Sequence, residues 1–229
     1  GLVDALKGVC ARGLNALALC CHPDGDIALF SDSAFEIGPR FEDLVEYAHR
    51  LGIEPVTSMT PGVLGATGFA RLESEGFVLI ASVAGPSPEH QPGHAHCDAL
   101  AFELSCGSER VVTGMGVYEY LVGQRRSLSR ATLSHATMQV DGAEQSEIWS
   151  AHRVGGRPRV CLEKYESGHR IEASCASWSS LDSVHHRIFI LKDEGLEIRD
   201  RLEGRSRPIH LSLSLHPGIK ARLVHDQDG

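Results

Sequence analysis

The chain has 229 residues and a formal net charge of −8, and 42% of its residues are hydrophobic. This length allows one large domain or one domain with part of a second, and the composition is typical of a globular protein. The negative charge argues against a nucleic-acid-binding surface, because such a surface needs clustered basic side chains to neutralise phosphates. No apolar run reaches the roughly 18 residues that a membrane-spanning helix needs.

Residues 1–53 have the pattern of two helices. The first is predicted over Leu2–Cys21, which is rich in Leu and Ala and contains no Pro, and the HPDG sequence at 22–25 ends it. The second is predicted over Pro39–Leu51, where apolar residues recur at helical spacing and Gly52 follows as a C-cap. Residues 54–68, which are rich in Gly, Ser, Thr and Pro from residue 57 onward, are predicted to form a linker.

From Phe69 onward the apolar residues alternate with polar ones, as in β-strands. Predicted strands over 69–74 and 77–83 flank Glu75-Gly76, a hairpin signal. Further strands are predicted over residues 94–105, 110–113, 136–140, 160–165, 170–177, 185–191, 196–202 and 209–216. Many short strands with almost no helix predict a mainly β fold, namely an antiparallel two-sheet β-sandwich over 69–229 that is preceded by a short α-helical piece.

The seven cysteines are odd in number and form no Cys-x-x-Cys pair. A zinc ribbon or finger is therefore not expected. Several cysteines lie among apolar residues, so we interpret them mostly as reduced residues of the core.

The sequence GHAHCDALAF at 93–102 carries the residues with the clearest chemistry. In the predicted strand, His94, His96 and Asp98 share one face because side chains alternate. Three interpretations remain open: hydrogen-bonded histidines at the sheet rim without a metal, a zinc or iron site, and a His that acts as general base. The pattern His96-x-Asp98 with a distant His also fits the ligand set of a non-haem iron oxygenase. A cupin is disfavoured, because Glu103 follows His96 too late.

Several further segments follow in a characteristic order. They are GVYEY (116–120), RSLSRATLSHAT (126–137), VDG (140–142), QSEIW (145–149), RVGGR (153–157), His186-Arg187 and LEIRDR (196–201). Together with HPDGDIALFSDSA (22–34) and the His-rich segment, they resemble the heparinase II/III-like family of polysaccharide lyases. The resemblance covers most of the chain.

The resemblance implies a fold and an activity. It implies that residues 1–53 are the C-terminal end of an α/α toroid and that 69–229 form the β-sandwich domain. It also implies cleavage of a uronate-containing acidic polysaccharide by β-elimination, in which a base removes the proton at C5 and an acid protonates the leaving oxygen. The alternative is a carbohydrate-binding or metal-stabilised sandwich without catalysis. The family further suggests the periplasm as the compartment, and a homodimer stays open.

The resemblance also assigns roles to individual residues. His94 matches the catalytic histidine, and His96 and His152 match ligands of a metal that would be Zn²⁺. The family usually has an Asp ligand just before GVYEY, where this chain has Gly114, so the metal site lacks an expected carboxylate. Three further residues are expected to bind the substrate: Tyr118, Arg130 and His135.

Overall fold

The computed structural model describes residues 1–54, 62–65, 67–177 and 182–224. Its helices are α1 (Leu2–Leu19), α2 (Phe41–Arg50) and α3 (Gln124–Arg130). Its strands are β1 (Gly62–Leu64), β2 (Phe69–Ser74), β3 (Phe77–Ser82), β4 (Phe102–Cys106), β5 (Glu109–Val112), β6 (Met138–Val140), β7 (Ile148–Trp149), β8 (Arg153–Val154), β9 (Arg159–Glu166), β10 (Arg170–Ala176), β11 (Ser183–Lys192), β12 (Gly195–Gly204) and β13 (Ile209–Leu211).

Two antiparallel sheets form the body of the molecule. The first has the strand order β1-β2-β3-β4-β5 and the second has the order β12-β11-β10-β9. The β2–β3 hairpin pairs Ser74 with Phe77, and Gly76 at its turn has φ +92°, a value that favours glycine. Two shorter pairs, β6 with β13 and β7 with β8, complete the strands.

The hydrophobic core lies between the two sheets. Leu79 and Leu104 of the first sheet pack in one cluster with Ile171 and Phe189 of the second. Along β11 the buried and partly exposed residues alternate, which is the pattern of a strand with one face in the core. These contacts confirm the predicted mainly β, antiparallel two-sheet sandwich with a short helical piece before it.

The segment that follows α1 packs on the outer face of the first sheet. Ala28 and Phe30 contact Val78 and Ile80 there. A buried polar network surrounds this contact, because the carboxylate of Glu103 accepts hydrogen bonds from the backbone N–H of Leu29 at 2.6 Å and of Gly114 at 2.9 Å. Residues 20–33 are thus fixed to the sandwich by both apolar and polar contacts.

Several apolar side chains of α1 and α2 are open to solvent, whereas the predicted apolar stripe of α2 is mostly half-buried and its Ala48 is buried. Leu6 and Val9 of α1 are 54% and 55% exposed, and Tyr47 of α2 is 55% exposed. The two helices contact each other. None of the described helices combines the length and apolar character that crossing a bilayer requires.

The limits of the predicted domains, 1–53, 54–68 and 69–229, stay a prediction. Residues 55–61 and 66 of the predicted linker lie outside the described part of the chain.

The structure departs from the predicted local structure in four places. The predicted strand over 94–105 begins only at Phe102, because Leu100 has φ +58° and the Ala101 N–H donates to the Asp98 carbonyl, so the chain turns there. Residues 124–130 form α3, which the sequence pattern had not indicated. The strand predicted over 209–216 is also shorter, and β1 lies within the predicted linker.

All seven cysteines are free. Cys21, Cys97 and Cys175 are buried, whereas Cys10, Cys106 and Cys161 are exposed. The interpretation of the cysteines as residues of the core therefore holds for only part of the set.

Candidate catalytic site

The carboxylate of Asp32 is the centre of a cluster of histidine and arginine side chains. Its Oδ2 lies 2.8 Å from Nδ1 of His94, and its Oδ1 lies 2.8 Å from Nε2 of His96. Arg126 donates to both oxygens, with a distance of 2.9 Å from Nη2 to Oδ2. The Asp32 side chain is only 5% exposed, so these contacts are shielded from solvent.

The donors around Asp32 keep it ionised. Burial alone would raise the pKa of Asp32, but hydrogen bonds from His96, Arg126 and His94 outweigh burial and hold this pKa well below its usual value. An ionised carboxylate can only accept hydrogen bonds, so each histidine must present an N–H to it. Hydrogen bonds to an ionised Asp32 at these distances require an N–H at Nδ1 of His94 and at Nε2 of His96.

Irregular backbone places the two histidines. A 3₁₀ turn at Pro92–His94 replaces the first part of the predicted strand, and the backbone N–H of Cys97 donates to the Arg130 carbonyl at 3.0 Å. The His94 side chain is 64% exposed, whereas that of His96 is fully buried. Of these two histidines, His94 is therefore the one that can meet a ligand from solvent while it contacts Asp32.

Helix α3 supplies two buried arginines. The Nε of Arg126 donates to the Ala151 carbonyl at 2.8 Å, which orients the guanidinium toward Asp32. Arg130 donates to the backbone carbonyls of Ala95, Ser150 and Arg153. Arg130 therefore ties the histidine segment to the chain around His152.

A cleft of about 370 Å³ opens beside His94. Its wall includes the residues Phe30, Ser31, Asp32, Ser33, Thr67, Phe69, Ser82, Ala84, Gly85, Pro86, Ser87, His94, Asp98 and Tyr120. This set is rich in hydroxyl and aromatic side chains, which are groups that contact sugar hydroxyls and sugar faces, and it contains no Lys or Arg among the described residues. The volume lies within the usual range for small-molecule sites.

Tyr120 and His152 stand next to His94 at the mouth of this cleft. The Tyr120 and His152 rings stack at 5.8 Å between centroids, and each lies about 6 Å from the His94 ring. The guanidinium of Arg126 lies 5.5 Å from the centre of the Tyr120 ring. Three groups that can exchange protons are thus grouped around one opening.

One of the two predicted metal ligands, His152, belongs to a group of side chains that could hold a cation. His152 joins His94 and Asp32 in a group whose ligand atoms all lie within 4.8 Å of one another. The Arg126 guanidinium already pairs with that Asp32, and its positive charge opposes a cation there. The ligand set of His96 and His152 stays a prediction.

A different neighbour of His96 has the properties of a metal ligand. The rings of His96 and His135 lie 5.4 Å apart, and Nδ1 of His96 and Nε2 of His135 are buried without a hydrogen-bond partner. Burial lowers the pKa of His135 to about 4, while the nearby Asp98 works against this shift. The His135 ring is thus neutral, as metal ligation requires, and together with the unpartnered Nδ1 of His96 it offers two imidazole nitrogens to a cation.

The remaining predicted residues lie in unlike surroundings. Arg130 is fully buried and His135 is 2% exposed, so neither reaches solvent and their burial gives no support to direct substrate contact. Tyr118 is 71% exposed, beneath the Arg125 guanidinium, and does not line the cleft. Asp98 accepts from the backbone and the hydroxyl of Ser31. The predicted strand face that it was to share with the two histidines does not form, because β4 begins only at Phe102.

Sequence reasoning missed Asp32, Arg126 and Tyr120 as parts of this cluster. Asp32 lies in a Ser-Asp-Ser loop directly after the buried residues 28–30. A carboxylate in a loop at the end of an apolar segment is a signal of a functional residue that the sequence does offer. The burial of Arg126 depends on α3, which the sequence pattern did not indicate. Tyr120 lies in the same GVYEY segment as Tyr118, and nothing local distinguishes the two.

The fold resembles that of solved polysaccharide-degrading enzymes. A structure described as a heparinase III gene product matches with a TM-score of 0.65 and 18% identity, over 90% of this chain and 34% of its own length. A mutant of the heparan sulfate lyase HepC from Pedobacter heparinus matches with a TM-score of 0.67 and 18% identity, over 88% of this chain and 33% of its own length. At such identities the likeness shows the fold, and the chain spans about a third of the length of these proteins. Comparison with curated proteins gave no match.

The sequence comparison covers the whole sandwich. The family described as heparinase II/III-like, C-terminal, matches residues 60–229, which is more than half of the chain. This match agrees with the order of motifs in the sequence and with the fold of the solved structures. The chain therefore belongs to the heparinase II/III-like family and carries its C-terminal domain.

Proposed function

We propose that this chain is part of a polysaccharide lyase that cleaves a uronate-containing acidic polysaccharide by β-elimination, with His94 as a proton-transferring residue. One observation carries the proposal: His94 is exposed at the cleft while its Nδ1 contacts the buried Asp32 carboxylate. The unprotonated Nε2 of His94 is then the nitrogen that is available to a ligand. Family membership supports the choice of reaction.

In the proposed reaction, Nε2 of His94 accepts the proton from C5 of the uronate. The C5–H electron pair becomes the C4–C5 double bond as the bond from C4 to the leaving oxygen breaks. That oxygen takes a proton from an acid, and the Tyr120 phenol beside His94 is the neighbouring group of this chain suited to supply it. The uronate carboxylate needs a neutralising partner, and no described Lys or Arg of the cleft provides one, so this partner is expected elsewhere in the protein.

The test uses the complete gene product that contains this chain and a panel of uronate polymers. Each cleavage should create an unsaturated uronate end, which is followed by its ultraviolet absorbance. Formation of saturated ends alone would indicate hydrolysis, and inactivity toward the whole panel would contradict the proposal.

A carbohydrate-binding domain without catalysis is the second candidate. It is favoured by the cleft's lack of a described cationic side chain, since a lyase must neutralise the uronate. Binding of an oligosaccharide by the complete protein without any unsaturated product would favour this candidate. The ligand set of an iron oxygenase gains no support, because the strand that would align His96 with Asp98 begins only at Phe102.

We also propose a Zn²⁺ ion held by Nδ1 of His96 and Nε2 of His135, in place of the predicted pair His96 and His152. Bound there, Zn²⁺ would supply a fixed positive charge that stabilises the sandwich next to the cleft. Elemental analysis should find about one equivalent in the purified protein, a loss in His135→Ala, and retention in His152→Ala. Equal loss in both variants, or no zinc in the parent protein, would remove the proposal.

An acidic polysaccharide as partner and the periplasm as compartment belong to the same proposal. Both are inferred from family membership. The polysaccharide partner is inferred because heparinase-like proteins act on such polymers. Fractionation of cells that produce the complete protein tests the compartment, and its recovery with cytoplasmic markers would contradict it.

A further inference from the structure

We propose that Asp32 is a positioning residue that fixes the ring orientation and the tautomer of both His94 and His96, and that Arg126 holds it in place. The importance of this arrangement for catalysis rests on the proposed function. The positioning itself rests only on the contacts of four side chains.

The contacts divide evenly between the two carboxylate oxygens. Oδ1 of Asp32 meets Nε2 of His96 and Nη1 of Arg126, whereas Oδ2 meets Nδ1 of His94 and Nη2 of Arg126. Each oxygen therefore serves one histidine and one arm of the guanidinium. A single carboxylate thus requires both rings to point an N–H toward it.

The two histidines then present opposite nitrogens to their surroundings. His94 is left with a lone pair on Nε2, and His94 is the exposed histidine at the cleft. His96 is left with a lone pair on Nδ1, which is buried without a partner. Through these contacts, Asp32 directs the lone pair of His94 to the cleft and the lone pair of His96 to the interior. Neither histidine could fix its own orientation in this way without Asp32.

Arg126 makes the carboxylate a fixed feature of the site. Its guanidinium is fully buried and bridges Asp32 to the Ala151 carbonyl, while its face meets Tyr120. Bidentate pairing restricts the rotation of a carboxylate more strongly than a single hydrogen bond does. Rotation of Asp32 would break contacts to both histidines at once, so the orientation of one ring is linked to that of the other.

The second sheet contains a matched control. Asp200 accepts from Nε2 of His185 at 2.6 Å and from Nε of Arg187 at 2.7 Å, so it has the same types of partner. Burial raises the pKa of Asp200, but bonds from His185 and Arg187 outweigh it and lower the pKa to about 2. Asp200 does not line the cleft beside His94. Its substitution therefore removes a carboxylate with similar partners that has no proposed catalytic role.

The experiment measures the ring nitrogens of the histidines by ¹H–¹⁵N NMR in the 229-residue chain. In the unsubstituted protein, neutral His94 should be the Nδ1–H tautomer and neutral His96 the Nε2–H tautomer. In Asp32→Asn, the amide offers one oxygen and one NH₂ group, so at least one of these two rings should change tautomer or lose its fixed orientation. Asp200→Asn should leave the signals of both rings unchanged.

Two results would overturn the positioning role. One is an Nε2–H tautomer of His94 in the unsubstituted protein, a measurement that does not depend on whether any variant folds. The other is a folded Asp32→Asn protein in which both rings keep their tautomers.

Kinetics of the complete protein separate this inference from the proposed function. Asp32→Asn should lower kcat about 10²-fold or more with a smaller change in KM, as expected when proton transfer is impaired, while Asp200→Asn keeps kcat. Full activity of Asp32→Asn alongside an inactive His94→Ala would overturn the positioning role. The predicted tautomers together with an unaffected His94→Ala would instead overturn the proposed function alone.

Discussion

Gly114 shows why the carboxylate implied by the family resemblance is missing at this position. A Cβ atom there would overlap the carbonyl oxygen of Leu29 and lie 2.9 Å from Oε1 of Glu103. The Gly114 N–H donates to that same oxygen of Glu103. The segment after α1 and the buried Glu103 therefore fill the space in which an Asp side chain would begin.

We predict that Gly114→Ala destabilises the protein by about 1–3 kcal/mol, because backbone rather than a flexible side chain must move to relieve the overlap. Gly13→Ala is the control, since Gly13 lies in α1 and nothing lies within 4 Å of its added Cβ. That substitution should raise the free energy of unfolding by up to about 1 kcal/mol through helix propensity. Urea denaturation gives both values, and equal stability of Gly114→Ala and the parent would contradict the packing described here.

At the scale of secondary structure, the sequence predicted the strands that carry a two-residue alternation. The hairpin of β2 and β3 and the long strands β10, β11 and β12 were found within a few residues of their predicted limits. Each of these strands has one face in the core, so burial and local pattern agree. The sandwich was predictable for this reason.

The histidine segment was harder to predict because its contacts are distant in the chain. Residues 95–101 alternate in hydrophobicity like a strand, but the Ala95 carbonyl accepts from Nε of Arg130 and the Cys97 N–H donates to the Arg130 carbonyl. Gln145 binds the backbone of Ala99 through both its oxygen and its nitrogen. Such side-chain partners replace strand pairing, and no local pattern reveals them.

The candidate site, too, was predictable from the sequence only in part. His94 was identified from its own motif, and it lies at the cleft. Asp32 lies 62 residues earlier and Arg126 lies in a helix that was not predicted, so their contact with His94 arises only from the folded chain. Residue types could be recognised from the sequence, but their grouping could not.

At the scale of the whole molecule, buried histidines link stability to pH. Burial is the largest cause that lowers the pKa of His22, His135 and His185, although Glu103 and Asp200 oppose the shift at His22 and His185. These groups stay neutral in the folded protein but bind protons in the unfolded chain below about pH 6.5. Their contribution is therefore fully present above that pH and is lost as the pH falls toward the folded-state pKa.

We predict that the free energy of unfolding falls between pH 7.5 and pH 5, by on the order of 1 kcal/mol for each of the three histidines. His22→Asn should weaken this dependence, whereas His90→Asn, a substitution of an exposed histidine, should keep it. Urea denaturation with a chelator present removes any effect of bound metal. A flat or rising profile toward pH 5 would show that these histidines are not held neutral.

The proposed chemistry depends on the exposed Nε2 of His94 as the nitrogen that moves the proton. The most direct test compares kcat of His94→Ala and His90→Ala in the complete protein, on the uronate polymer that it cleaves. His90 is an exposed histidine four residues earlier and lies outside the cleft wall, so its loss controls for a general effect of substitution in this segment. We expect kcat to fall by about 10²- to 10⁴-fold in His94→Ala and to stay within about twofold in His90→Ala. Full turnover by a folded His94→Ala protein would contradict the central claim.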